Sequence, residues 1–424
     1  MSEPRGARAP GNRIAIFVVL GALTGIAPLS IDAYIPGLPQ LTSDLGTSTS
    51  TGQLTLTAFL LGLAISQVVA GSISDNVGRR TPVLTGLIAY IASSLLCGLS
   101  PGILILILLR LVQGAAAGVG FVIARAIVRD VYTGSAGARI FARLVIVSGV
   151  APVLAPILGG QVLRFTSWRG LFVLFAVISA VILAVANFVL VETLPAHLRH
   201  EPGIRTKLRV FRRLIADRTF LPYALVGSLG FAAMFSYIAG APFVLEDIHG
   251  LSAQEFSLAF AANAAGLVAL SQISGRLVER IGPSVLLRAG ALMSATGGVV
   301  TLLSVVLDAG LIPLLAGLWL MVSAIGLIVP NSTALALAHQ GERAGSASAL
   351  YGLGQFGLGA ILAPLAGVAG NHNALPMGIT IAVCGIGALV IDQVWCDRAP
   401  FEPARSRRAS SRHQERRPDP LTRR

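Results

Sequence analysis

The stretch Ile103–Ala124, ILILILLRLVQGAAAGVGFVIA, decides what kind of protein this is. A membrane helix needs about 20 apolar residues in a row. This run supplies them around a single charge, Arg110. An arginine at the centre of a membrane helix costs roughly 2.5–3.5 kcal/mol on insertion scales, so its side chain must face protein or water. Helical spacing puts Arg110, Gln113, Gly114, Ala117, Gly118 and Phe121 on one stripe. Gly114 and Gly118 make a GxxxG step, which lets a neighbouring helix approach closely. The stripe is expected to line a polar cavity, with the rest of the chain supplying an anion, the other walls and the gates. The plainer alternative is an arginine that snorkels to an interface.

Outward from that helix the whole chain has the same character. Of 424 residues, 54% are hydrophobic and only 12% charged, with a mean hydropathy of +0.78. A soluble domain carries about 25% charged residues. The composition is that of an all-α integral membrane protein. The formal charge of +13 is almost wholly arginine, since Lys207 is the only lysine. Basic clusters can mark nucleic-acid binding. Here they sit in short loops and a tail, where topology accounts for them, so no nucleic-acid partner is expected. Cys97, Cys384 and Cys396 have no metal or disulfide spacing, and the histidines form no ligand pair. No cofactor is expected.

A basic segment, 1–13, precedes an apolar run over 14–36 that is too long for a signal peptide and lacks a clean cleavage site. Further apolar runs cover 53–71, 81–100, 103–124, 144–163 and 170–191. After a charged linker, 192–219, come 220–244, 256–274, 284–307, 311–338, 345–369 and 374–395. Twelve transmembrane helices result, six in 14–191 and six in 220–395. The tail, 396–424, is rich in Arg, Pro and Ser and is expected to be disordered. Basic residues mark the cytoplasmic side. With the amino terminus inside, that side holds Arg79, Arg80, the arginines at 125, 129, 139 and 143, the linker and the tail, and the outside holds only Arg164 and Arg169. Both termini are therefore expected in the cytoplasm.

The halves repeat. Gly71-Ser-Ile-Ser-Asp75-Asn-Val-Gly78 and Gly275-Arg-Leu-Val-Glu279-Arg-Ile-Gly282 share G-x-[IL]-x-[DE]-x-[VI]-G, 204 residues apart (71 to 275). Repeated halves are typical of transporters that bind substrate at the midplane between them. Asp32 is the one acid clearly inside a span of the first half, and from helical rise it and Arg110 lie about 6 and 10 Å below the same outer surface. A direct or water-bridged pair is expected. A carboxylate contested between burial and a nearby cation suits proton carriage. Gly71, Asp75, Gly78, Arg79, Arg80 and Glu279 belong to tight cytoplasmic turns suited to a gate, and Pro152, Pro156, Gly159 and Gly160 kink span five. The second half shows no charge in the body of any span. It offers Tyr237, Asn263, Asn331 and Gln355, with Phe235 nearby; Tyr34, Gln113 and Phe121 are their counterparts in the first half. Apolar walls with a few polar anchors suit lipophilic small molecules, although such residues also serve as interhelical glue.

These residues resemble a known family. The two six-span halves with GSISDNVGRR resemble the major facilitator superfamily, LLRLVQGAAAG looks like its span-four proton-relay motif, and VAPVLAPILGG looks like the span-five antiporter motif. That motif usually has Gly-Pro where this chain has Ala155-Pro156. PLSIDAYIPGLP, ARAIVRDVY, SWRGLF, YIAGAPFVL and SASALYGLGQF are similar to the Bcr/CflA branch, associated with bicyclomycin and chloramphenicol resistance in bacteria. The resemblance covers about 14–395. It implies a monomeric drug:proton antiporter of the bacterial cytoplasmic membrane, driven by the proton gradient, with Asp32 and Arg110 in proton coupling and Gly71–Arg80 as the gate loop. The rivals are an uptake symporter of the same fold, an exporter of an endogenous metabolite, a membrane enzyme and a scaffold acting through the tail. No Ser/His or His/Asp/Glu cluster favours the enzyme.

Overall fold

A computed structural model describes residues 10–131, 154–199, 204–370 and 373–396. Among them every long element is a helix. Lipid offers the backbone no hydrogen-bond partner, so a spanning segment must satisfy its own N–H and C=O groups. The first half contains α1 (Pro10–Asp32), α2 (Thr49–Val77), α3 (Arg80–Gly98), α4 (Ile103–Val131), α5 (154–162) and α6 (Trp168–Val189). The second contains α7 (Leu221–Pro242), α8 (Ala253–Ile281), α9 (Pro283–Val306), α10 (Leu311–Leu337), α11 (Ala344–Leu362) and α12 (Leu375–Trp395). Eleven described helices are long and apolar enough to cross a membrane. The expected span 144–163 is described only from 154 onward, so Pro152 lies outside the described residues, as does the tail beyond Cys396. The outer surface is apolar, with Leu104, Phe188 and Ile312 more than 70% exposed. That is the pattern of side chains bathed in lipid rather than water.

The repeat extends to the helix ends. Ser48 caps α2 by accepting from the Thr51 N–H, and Ser252, 204 residues on (48 to 252), caps α8 by accepting from Glu255. Ser252 and Glu255 complete a capping box, which satisfies two free helix-end donors at once. At the other end Gly78 (φ +104°) and Gly282 (φ +85°) stop the same two helices. Positive φ there favours glycine.

Within the first half α2 packs along α4, α3 on α4 and α6, and α1 on α4 and α6. The GxxxG step makes the first of these contacts possible. A Cβ on Gly114 would collide with the Phe59 carbonyl, and one on Gly118 with the Ser66 hydroxyl. In the second half α9 packs on α10 and α12, α8 on α10, and α7 on α12, α11 and α10. The halves meet chiefly where α2 lies along α11. The linker is not featureless. It holds a basic amphipathic helix, Ile204–Ile215, whose Leu214 is buried among second-half residues while Arg209, Arg212 and Arg213 face outward.

Candidate transport site

Arg110 is fully buried in the first half. Its Nη1 donates to Gln113 Oε1 (2.7 Å) and its Nη2 to the Ser30 carbonyl (3.3 Å). Gln113 passes the chain on by donating to Ser94 Oγ (2.7 Å). The guanidinium carbon lies 4.5 Å from the Tyr34 ring centre and 4.3 Å from that of Phe59. A flat, weakly hydrated cation tolerates such a setting because ring faces and carbonyls replace part of its hydration. Tyr34 is also buried; its hydroxyl meets Thr55 Oγ1 (2.8 Å) and its ring packs near Phe172. Arg110, Gln113 and Tyr34 thus sit inside the first half. The stripe expected to line a polar cavity therefore divides, its Arg110 end buried within the first half and its Phe121 end meeting Phe356 of the second.

Asp32, the last residue of α1, is only 4% exposed and makes no ion pair with Arg110. Helix geometry supplies the reason. Ser30 faces Arg110, and Asp32 lies two residues on, about 200° around the axis. Its carboxylate is turned to the second half, within electrostatic reach of Tyr237. Among the described residues it has neither a hydrogen bond nor a salt bridge. Tyr237 accepts from Asn263 Nδ2 (2.8 Å) and stacks on Phe260, so its own hydroxyl proton remains free to donate. Gly159 of α5 lies against the Ala33 carbonyl, beside Asp32, and Gly160 is buried.

The other second-half candidates divide. Phe121, Phe356, Phe231 and Phe235 form a row of edge-to-face rings that crosses from α4 to α11 to α7, with centroids 6.3, 5.5 and 5.1 Å apart. Gln355 donates to the Tyr351 hydroxyl (3.4 Å), which meets Ser332 Oγ (2.7 Å). Asn331 instead donates to Ser274 Oγ (2.8 Å) and the Leu327 carbonyl, a link between α10 and α8 within one half. Asp392 of α12 is buried and paired with Arg288 of α9 (3.1 Å), so the second half does carry a charge inside a span.

At the basic end, Arg79 is 3% exposed and held by Ser74 Oγ (2.7 Å), Asp75 (2.7 Å) and Asp130 of α4 (2.8 Å). Asp75, 44% exposed, is the outer member of that cluster, and Gly71 lies in the same helical turn. The sequence does not single out Asp130, and it marks Glu192 only as an acid at a span end, a fallback proton carrier rather than a partner of the Arg79 turn. Glu192 accepts from the backbone N–H groups of Arg79 (2.8 Å), Arg80 (3.3 Å) and Leu194 (2.9 Å). Burial works against its ionisation, but these three donors and the nearby Arg199 outweigh it and hold the carboxyl below the usual glutamate range. Arg80 reaches the Leu190 and Asn187 carbonyls. The second-half copy differs: Pro283 occupies the position equivalent to Arg79, and Glu279 is exposed with no ion pair among the described residues. A Cβ at position 78 would both strain the backbone and strike the Glu192 carboxylate. Gly78→Ala should therefore lose about 1–3 kcal/mol of stability. Thermal unfolding in detergent checks this, and an unchanged midpoint would show that Glu192 is not a latch.

The halves are also joined at the end opposite Arg79. Gln53 of α2 donates to the Ala239 carbonyl of α7 (2.9 Å), and Ser257 of α8 to the Pro156 carbonyl of α5 (3.2 Å).

Known proteins carry the same pattern. The Major Facilitator Superfamily profile matches residues 20–364. The uncharacterized MFS-type transporter YdgK of Bacillus subtilis is 37% identical over 88% of this chain and 94% of its own length. A bicyclomycin resistance protein homolog of Haemophilus influenzae is 27% identical over 87% and 93%. The multidrug resistance protein MdtL of Escherichia coli O157:H7 is 29% identical over 57% of this chain and 61% of its own. Among solved structures, a D-xylose-proton symporter superposes with a TM-score of 0.72 at 16% identity, covering 92% of this chain and all of that one. An inward-facing bacterial homologue of the lysosomal transporter Spinster gives 0.69 at 17% identity, covering 94% and 100%. The chain belongs to the major facilitator superfamily and is a multi-pass transporter rather than an enzyme.

Proposed function

We propose that this chain exports lipophilic, drug-like molecules across a bacterial cytoplasmic membrane in exchange for protons, its halves 14–191 and 220–395 rocking about a central site. The observation that carries the proton-coupled reading is Asp32: a buried, unpaired carboxylate on one half that looks at Tyr237 on the other. A group at that seam changes surroundings whenever the halves move, so its proton affinity differs between the two states. Exchange requires such a difference, because a ligand shifts a conformational equilibrium only by its differential affinity. The resistance proteins among the relatives support export of drugs. The basic residues support a cytoplasmic location for the Arg79 end and for both termini. On that orientation the bonds of Gln53 and Ser257 close the outer end.

Arg110 then acts on Asp32 through α1. It pins the Ser30 carbonyl and so sets the direction of the last turn. Asp75, Arg79 and Asp130 tie the α2–α3 turn to α4, which makes the basic end of the first half one body. The test is reconstitution in proteoliposomes with an imposed pH gradient and radiolabelled chloramphenicol. Gradient-driven movement that a protonophore abolishes is the expected result. Movement that ignores the gradient, or that runs in the same direction as the protons, would replace antiport by facilitated diffusion or symport.

A further inference from the structure

Arg125 is the least explained charge in the molecule. A sequence count that ends the fourth span at Ala124 assigns it to a cytoplasmic loop. In the structure α4 continues to Val131, so Arg125 lies about 9 Å inside the helix end. Its direction is fixed by its neighbours. The guanidinium carbon stands 4.2 Å over the Phe121 ring, and Phe121 meets Phe356 of the other half. Tyr351 of α11 is within electrostatic reach. Arg125 thus points across the seam, yet its side chain is exposed. An exposed side chain on an inter-half face borders solvent-accessible space between the halves, not lipid.

No carboxylate neutralises it among the described residues, whose ion pairs use Arg79, Arg199 and Arg288. Tyr351 is no counter-ion, since its hydroxyl is occupied by Ser332 and Gln355. Phe121 covers one face of the guanidinium and leaves its in-plane N–H groups free. That fork matches a carboxylate or phosphate in two parallel bonds. Beside it runs the ring row Phe121, Phe356, Phe231 and Phe235. One edge of the space offers a cation, and the other offers apolar rings.

We infer that Arg125 is the anion-binding end of the substrate site, and that the transported molecules include lipophilic acids: a carboxylate or similar planar anion on an aromatic body. This rests on the export reading only in placing substrate between the halves, and the test below reads binding without transport, so the two fail separately. Purified protein in phosphatidylcholine nanodiscs is titrated with 1-pyrenebutyrate, its methyl ester and the corresponding pyrenyl amine. The acid is expected to bind about 10- to 100-fold tighter than the ester, the worth of one charge-assisted contact. Arg125→Gln should erase that preference, bringing the acid down to the affinity of the ester, and Arg125→Lys should keep part of it. Size-exclusion profile and unfolding midpoint establish that each variant is folded. Equal or weaker binding of the acid by the wild type would overturn the assignment, as would full acid binding by folded Arg125→Gln. Loss of acid binding in phosphatidylglycerol nanodiscs would also overturn it, giving the cation to lipid headgroups instead.

Discussion

Asp32→Asn is expected to reduce substrate-induced proton release from purified protein to background, with the variant still folded and inserted. The side chains are nearly isosteric, so packing against Ala33 and Tyr237 survives. What disappears is the buried carboxylate that the first half turns toward Tyr237 of the second. Stability should hold or rise, because a buried carboxylate without a partner costs more than a neutral amide. Retained thermal stability together with lost proton release separates a coupling role from a structural one. The measurement uses detergent-solubilised protein in weak buffer with a pH-sensitive dye and a substrate shown to bind. If Asp32→Asn releases protons as the wild type does, the carrier lies elsewhere. Glu246 is then the next group to test: it sits in the π-helical turn after α7, and its buried Oε1 has no hydrogen-bond partner in the structure. Glu192 is a weaker choice, since three backbone donors already hold it ionised.

Arg110 should show an effect of comparable size by a different route. Arg110→Met and Arg110→Ala are both expected to abolish proton-coupled transport, but only the alanine variant should lose much stability. Either change removes two charge-assisted hydrogen bonds and the contacts with Tyr34 and Phe59. Against that loss stands relief of a desolvation penalty of several kcal/mol for a buried cation. Methionine fills most of the space, so these terms largely offset. Alanine adds a cavity, worth about 3–5 kcal/mol for large-to-small changes in a packed core. Transport fails in both because Ser30 and Gln113 are released and the last turn of α1 no longer aims Asp32 at Tyr237. Arg110→Lys keeps the charge but not the fork, so it should be impaired less. Shifted pH dependence of proton release in the lysine variant, at unchanged substrate affinity, marks a positioning role. Normal coupling in a folded Arg110→Met would reduce Arg110 to a space-filler.

Much of this molecule can be read from its residues in order. The spans are legible because lipid demands about 20 apolar residues per crossing and tolerates little else. The 204-residue repeat predicts matching turns, and the caps at Ser48 and Ser252 and the stops at Gly78 and Gly282 match. Asp32 and Arg110 stand out because charges are rare in such segments. Other features depend on rotation and on distant neighbours. Counting along the axis gives Asp32 and Arg110 similar depths, but two residues of helix turn Asp32 to the opposite face. Gln113 and Gln355 read alike, as do Asn263 and Asn331. Yet Gln113 serves a buried arginine, Asn331 ties α10 to α8, and Asn263 holds the tyrosine beside Asp32. Asp75 lies four residues from Arg79 in sequence, whereas Asp130 reaches Arg79 only because α4 returns to the same end of the bundle. Hydropathy is a property of a stretch of chain, so it reports where helices lie. Which face a side chain presents, and to what, is set by the packing of helices far apart in sequence, and that packing turned Arg125 from a loop charge into a wall between the halves.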